Sequence, residues 1–173
     1  MKKVILVDEN DNEIGEEEKQ KAHLEGKLHR AFSILIFNNK KELLIHKRES
    51  SKYHSGGLWT NTVCSHPKPG EKIQDAVHRR LKEEMGLTAE LKEIGKFMYK
   101  TKVKALTEHE IDYIFVGFSD AKPNPDPEEI EDYKYISLQE LDLDVTKNPD
   151  KYTYWFKIIL KDHKNKINTF INS

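Results

Sequence analysis

Apolar positions fall into short runs divided by charged or turn-forming stretches, a pattern that predicts many strands and few helices. Val4 to Val7 reads as a strand closed by Asp8-Glu9-Asn10-Asp11-Asn12, and Glu16 to His23 is charged and helix-prone. Ala31 to Phe37 is a β-branched and aromatic run. Asn38-Asn39-Lys40 turns it into Glu42 to His46, so a hairpin is predicted there. Gly56-Gly57 breaks the pattern before Trp59 to Cys64, and Pro67, Pro69 and Gly70 mark a loop. The clearest helix is Ile73 to Met85, with Ile73, Ala76, Val77 and Leu81 on one face and Gly86 at its C-terminal end. Leu91 to Thr101, Ile111 to Phe118 and Tyr133 to Ile136 read as further strands. Ser137-Leu138-Gln139-Glu140 is a capping box opening a short helix. Tyr152 to Lys161 is the last predicted helix, followed by a polar tail expected to fray. The pattern predicts an α/β (α+β) sandwich, a mixed sheet covered by helices.

Length and composition narrow the class. At 173 residues the chain fits one domain. It is 36% hydrophobic and 34% charged, and its recurring aromatic and β-branched residues argue against disorder. A net charge of −1 offers no basic field for nucleic acid. No apolar run approaches the ~18 residues of a membrane span, and Val4 to Val7 is too short for a secretory signal. One cysteine, Cys64, forms no internal disulfide, so the expected setting is cytoplasmic.

The Ile73–Leu87 segment carries the first chemical signal. Arg79 and Glu83 are four apart, as are Arg80 and Glu84, and such pairs alone describe a solvated, salt-bridged helix face. The longer string is more specific: Ser65-x5-Glu71-x7-Arg79-Arg80-Leu81-Lys82-Glu83-Glu84-Met85-Gly86-Leu87. It resembles the Nudix box, G-x5-E-x7-R-E-U-x-E-E-x-G-U with U aliphatic, whose loop–helix–loop holds metal bound to a diphosphate. Ser65 replaces the leading glycine, and Arg80 replaces the glutamate after the first arginine. That second change removes a metal ligand and adds a group able to grip phosphate bidentately, which disfavours a hydrolytic metal cluster.

Trp59-Thr60-Asn61-Thr62-Val63-Cys64-Ser65-His66-Pro67 follows the same logic. A lone cysteine at a strand end is by itself a small buried hydrophobe. Joined to Asp75-Ala76-Val77 and Arg79-Arg80, however, this string closely resembles the type I isopentenyl diphosphate isomerases, a Nudix-fold family. The resemblance runs from about Val4 to Ile159. It implies one Nudix-fold domain over 1–173, with segment 1–30 contributing metal and substrate ligands. It also implies interconversion of isopentenyl and dimethylallyl diphosphate through a tertiary carbocation, in isoprenoid biosynthesis.

Residue by residue, the resemblance makes Cys64 and Glu110 the proton carriers on opposite faces of the substrate. Tyr99 hydrogen-bonds Glu110, and Trp155 lies over the cation. One divalent ion is implied on His23, His29, His66, Glu108 and Glu110, with His23 and His29 one residue closer together than is usual in the family. On a strand Glu108 and Glu110 share a face while His109 points away. Three imidazoles with two carboxylates suit Zn, Mn or Fe rather than Ca, and the choice among the three stays open. Lys19, Arg48, Lys52 and Arg80 match diphosphate-binding positions, and Glu84 matches a ligand to Mg²⁺ riding on the phosphates. His46, His54, His78, His109 and His163 are read as solvent-facing. The expected partner is the small isoprenyl diphosphate substrate, with no nucleic acid or membrane, on a monomer or weak homodimer. The rivals are a Nudix hydrolase of a nucleoside or isoprenoid diphosphate and a non-catalytic diphosphate-binding module.

Overall fold

A computed structural model describes residues 1–173. Strand β1 (Lys3–Val7) leaves the sheet at Asp8, whose carboxylate accepts from the backbone amides of Asn10 and Asn12 at 2.9 Å each. This turn returns the chain as β2 (Glu13–Glu18), antiparallel to β1 with Ile5 opposite Glu16. The helix expected from Glu16 therefore starts only at α1 (Lys19–Glu25). Edge pairing with β1 satisfies the backbone of the glutamate run and overrides its helix propensity.

Strands β3 (His29–Phe37) and β4 (Glu42–Arg48) are joined by the predicted turn but share only the pair Phe37–Leu43. The hairpin splays because both strands have other partners. Strand β4 pairs with β5 (Trp59–Thr60), and β3 pairs with β6 (Val63–Ser65). Helix α2 (Ile73–Met85) has the predicted bounds, and Gly86 ends it at φ 66°, donating its N–H to Lys82. A side chain at Gly86 would also press on Asn124, 3.0 Å from its Cβ.

Strands β7 (Lys92–Val103) and β8 (Leu106–Phe118) form a long hairpin, and β8 runs parallel to β3 from His29–Glu110 to Phe37–Phe118. Strand β9 (Ile130–Ser137) pairs with β4 and leads into α3 (Leu138–Lys147). There Ser137 Oγ accepts from the Glu140 amide at 3.2 Å, the first half of the expected capping box. Tyr152 and Thr153 are extended, bound to Trp59, so α4 (Tyr154–Asp162) starts two residues late. The tail does not fray. It forms α5 (Lys164–Ile171), whose Ile167 and Ile171 are buried one helical turn apart.

The nine-stranded mixed sheet thus lies between helices. Side chains alternate along β3. Phe32, Ile34 and Ile36 join Ala76, Val77, Leu81 and Met85 of α2 in one core. Leu35 and Phe37, with Ile114 and Val116 of β8, join Phe156, Ile159, Ile167 and Ile171 in the other. Burying each such aliphatic chain contributes roughly 1.5–3 kcal/mol. The C-terminal helices cover only one end of that second face. Toward its other end the same face carries His29, Ala31 and Ser33 on β3, and Glu108, Glu110 and Asp112 on β8. No helix is long and apolar enough to cross a membrane.

Candidate active site

That uncovered end opens into a cavity of about 680 Å³. At its base, Glu110 Oε2 lies 2.8 Å from His29 Nε2, 2.7 Å from His66 Nε2 and 3.9 Å from His23 Nε2. The four donor atoms all lie within 4.8 Å of one another. The Nδ1 atoms of His23 and His29 sit 2.7 and 2.9 Å from the carbonyls of Lys19 and Lys27. With that nitrogen holding the ring proton, a neutral ring offers its Nε2 lone pair to a cation, whereas a proton on Nε2 is donated to Glu110 when no cation is held there. His23 Nε2 is buried without any partner. Converging lone pairs and a carboxylate oxygen fit a divalent cation. They also explain why His23, one residue out of the usual spacing, still reaches the centre: α1 carries it there.

Glu108 stands beside this cluster, with Oε1 3.1 Å from His54 Nε2. Tyr99 donates to Glu110 Oε1 at 2.5 Å and lies 3.5 Å from Glu108 Oε2. Burial, then the neighbouring Glu110 charge, pushes Glu108 up to about 8. Burial also disfavours ionised Glu110, but the bonds from His29 and His66 more than offset this and hold it well below the usual carboxylate range.

Cys64 reaches the cavity from β6, where it pairs with Ser33. Its thiol donates to Asn61 Oδ1 at 3.0 Å and accepts from Trp155 Nε1 at 3.1 Å. Burial pushes the thiol up to about 12, against the opposing charge of Arg48. Asn61 is fixed in turn by donating to the carbonyls of Ile34 and Val63. Its oxygen therefore faces Cys64, Thr60 and Trp155, at 3.0, 2.8 and 3.2 Å. The guanidinium of Arg48 lies over the Trp155 ring, 5.4 Å from its centroid.

The cavity's other end is charged. Lys19, Arg48, Lys52, Arg80 and Glu84 all line it. Lys52 pairs with Glu129 at 2.5 Å, and Arg80 with Glu83 at 2.7 Å and Glu84 at 3.0 Å. Burial, then the charges of Lys2, Lys52 and Arg48, lowers Lys19 to about 8, the mark of cations gathered at one place. Nε of Arg48 and of Arg80 is buried without a partner. Burial raises Glu84 to about 7 although Arg80 opposes it. Arg79 turns away to Glu71, at 2.7 and 2.9 Å, and to Glu83.

The Nudix domain family matches residues 27–156. The chain is 49% identical over 158 residues to isopentenyl-diphosphate Delta-isomerase 2 of Aromatoleum aromaticum, covering 91% of this chain and 84% of that one. It is 49% identical over 160 residues to isopentenyl-diphosphate Delta-isomerase of Serratia proteamaculans, covering 92% and 89%. The chain belongs to the isopentenyl-diphosphate Delta-isomerases of the Nudix family. Solved structures share the fold at low identity. A Deinococcus radiodurans protein superposes with a TM-score of 0.72 at 18% identity over 85% of this chain and 90% of that one. The MutT protein of Methanosarcina mazei does so with 0.67 at 21%, over 80% and 96%.

Within this isomerase family member, the sequence-expected residues Cys64, Tyr99, Trp155, His66, Glu108 and Glu110 meet at one end of one cavity. Lys19, Lys52, Arg80 and Glu84 line the same cavity, and Arg48 lies between the two sets, over the Trp155 ring. Two readings need correction. His46 is not solvent-facing: it is buried, with Nδ1 2.9 Å from the Thr62 carbonyl. His54 is also buried, with Nε2 3.1 Å from the Glu108 carboxylate. His54 sits in a polar loop and His46 at the end of an apolar strand, and the fold closes over both. His78 is exposed, and His109 turns from the cluster to the Gly26 carbonyl. Sequence reasoning missed Asn61, Asp112, Glu129 and His54. Asp112 was legible as the next step in the Glu108–Glu110 alternation; it accepts from Ser33 Oγ at 2.9 Å and leaves Oδ1 unpartnered. Nothing local distinguishes Glu129 or His54.

Proposed function

We propose that this chain interconverts isopentenyl diphosphate and dimethylallyl diphosphate, with Cys64 and Glu110 as the two proton carriers. The reading rests on one observation: a half-buried thiol and a buried carboxyl, each tied to an aromatic partner, face one cavity that also gathers several cations. Protonating the terminal alkene carbon gives a tertiary cation at the branched carbon. Removing a proton from the carbon nearer the diphosphate leaves the double bond there. Since the reaction runs both ways, each carrier is acid in one direction and base in the other. Tyr99 orients Glu110, and Asn61 with Trp155 orients Cys64. The Trp155 face, which already takes the Arg48 cation, stabilises the carbocation by about 2 kcal/mol when desolvated.

Lys19, Arg48, Lys52 and Arg80 hold the diphosphate, with Glu84 as ligand to Mg²⁺ carried on it. His23, His29, His66, Glu110 and Glu108 hold one Zn, Mn or Fe ion, which when bound orients Glu110 and sets its acidity. Residues 1–173 act as one domain, with segment 1–30 supplying His23, His29 and Lys19. A reducing, cytoplasmic setting suits the free thiol, and a monomer or weak homodimer suffices because one chain lines the whole cavity. Incubation with isopentenyl diphosphate, Mg²⁺ and a trace transition metal should yield dimethylallyl diphosphate without free phosphate. Cys64→Ala should lower the rate by about 10³-fold or more. Release of phosphate with an indifferent Cys64→Ala would make the chain a Nudix hydrolase instead.

A further inference from the structure

His54 belongs to neither residue set above, yet it connects them. It lies in the segment between β4 and β5 that also carries Lys52, with Arg48 at its start. Its ring stands 5.1 Å from the ring of His23, and its Nε2 is 3.1 Å from Glu108 Oε1. Its backbone carbonyl accepts from Arg48 Nη2 at 3.3 Å. The segment is wound tightly: a Cβ on Gly56 would stand 2.7 Å from the Ser50 carbonyl oxygen and 2.9 Å from that of Lys52. A shift at His54 is therefore passed to Lys52 and Arg48 rather than absorbed between them.

We propose that His54 is a positioning residue of the metal centre, acting through Glu108, and that it couples metal occupancy to the order of the diphosphate-gripping segment. The Nε2 of His54, 3.1 Å from Oε1, would donate to it and orient the Glu108 carboxylate toward an ion held beside Glu110. Fixing His54 fixes its carbonyl, and with it the Arg48 guanidinium. Partners that orient a metal ligand typically contribute about 10–100-fold in metal affinity. The inference rests on the metal and diphosphate assignments proposed above, but not on turnover.

The test uses Zn²⁺ alone on the metal-free full chain, with competition against a chromophoric chelator and hydrogen exchange of residues 49–58. His54→Ala should weaken Zn²⁺ binding about 10–100-fold. Zn²⁺ should protect the 49–58 amides in the natural chain and not in His54→Ala. His54→Gln, which keeps an N–H donor, should recover most of both effects and serves should the alanine variant fold poorly. In a Glu108→Ala background, His54→Ala should have no further effect on Zn²⁺ affinity. Unchanged affinity in His54→Ala, protection that persists in it, or effects of the two substitutions that multiply would each overturn the proposal. An inactive natural chain that still shows the coupling would instead sink the isomerase reading alone.

Discussion

The two ends of the cavity handle buried polar groups in opposite ways. Around Cys64 and Asn61, donors and acceptors are matched by neutral groups. The thiol, the Trp155 indole and the Thr60 hydroxyl all converge on a single amide oxygen. Around Lys52 and Arg80 charges are matched by other charges, with Lys52 on Glu129 and Arg80 on Glu83 and Glu84. Neutral matching holds reactive atoms in place before substrate arrives. Ionic matching lets the protein keep several partly buried cations together and exchange their partners on binding. One end is therefore built for placement, the other for exchange.

Removing the shared acceptor should break the first end most severely. Asn61→Leu leaves three buried donors without it, and should lower stability by about 3 kcal/mol in denaturant unfolding. Its kcat should fall at least about tenfold with KM little changed, because placement rather than binding is lost. An unchanged kcat would mean the thiol is held by something other than Asn61. At the second end the split reverses. Lys52→Ala should raise KM about tenfold while kcat stays within about twofold. Glu129→Gln removes the internal competitor for Lys52 and should lower KM about threefold. A raised KM in Glu129→Gln would show that this carboxylate orders the grip rather than competes for it.

The smallest effect concerns Glu84. Burial raises its folded pKa from 4.5 to about 7. Folding therefore takes up a proton there, and the stability this contributes is full below about pH 4.5 and lost as pH rises through about 7. In the metal-free chain, Glu84→Gln should match the natural Tm near pH 4.5 and exceed it by about 2–4 °C near pH 8. Parallel curves would show that Arg80 already holds the carboxylate ionised.

Local order was legible wherever a short window carries its own reason. Helix α2 has the predicted bounds because four apolar positions and Gly86 specify it within one segment. The turns after Asp8 and Phe37 and the Ser137 cap are legible for the same reason. The resemblance in Trp59–Pro67 and in the Arg79–Glu84 helix named side chains that the fold brings to one cavity. Glu16 to Glu18 misled because strand partners eleven or more residues away, in β1, outweighed helix propensity. Ile167 and Ile171 looked like a tail because only the sheet face they cover makes them core.

His54, Glu129 and the burial of His46 could not be read from any window. Whether an imidazole or carboxylate is exposed depends on which distant groups fold over it. For His54 that group is Glu108, on a strand that reaches the site only by pairing with β3 and β7. Periodicity and motif report the chemistry a segment carries and the face it presents. Long-range pairing sets which faces meet, and with them the burial that gives a thiol, a carboxyl or a histidine its properties.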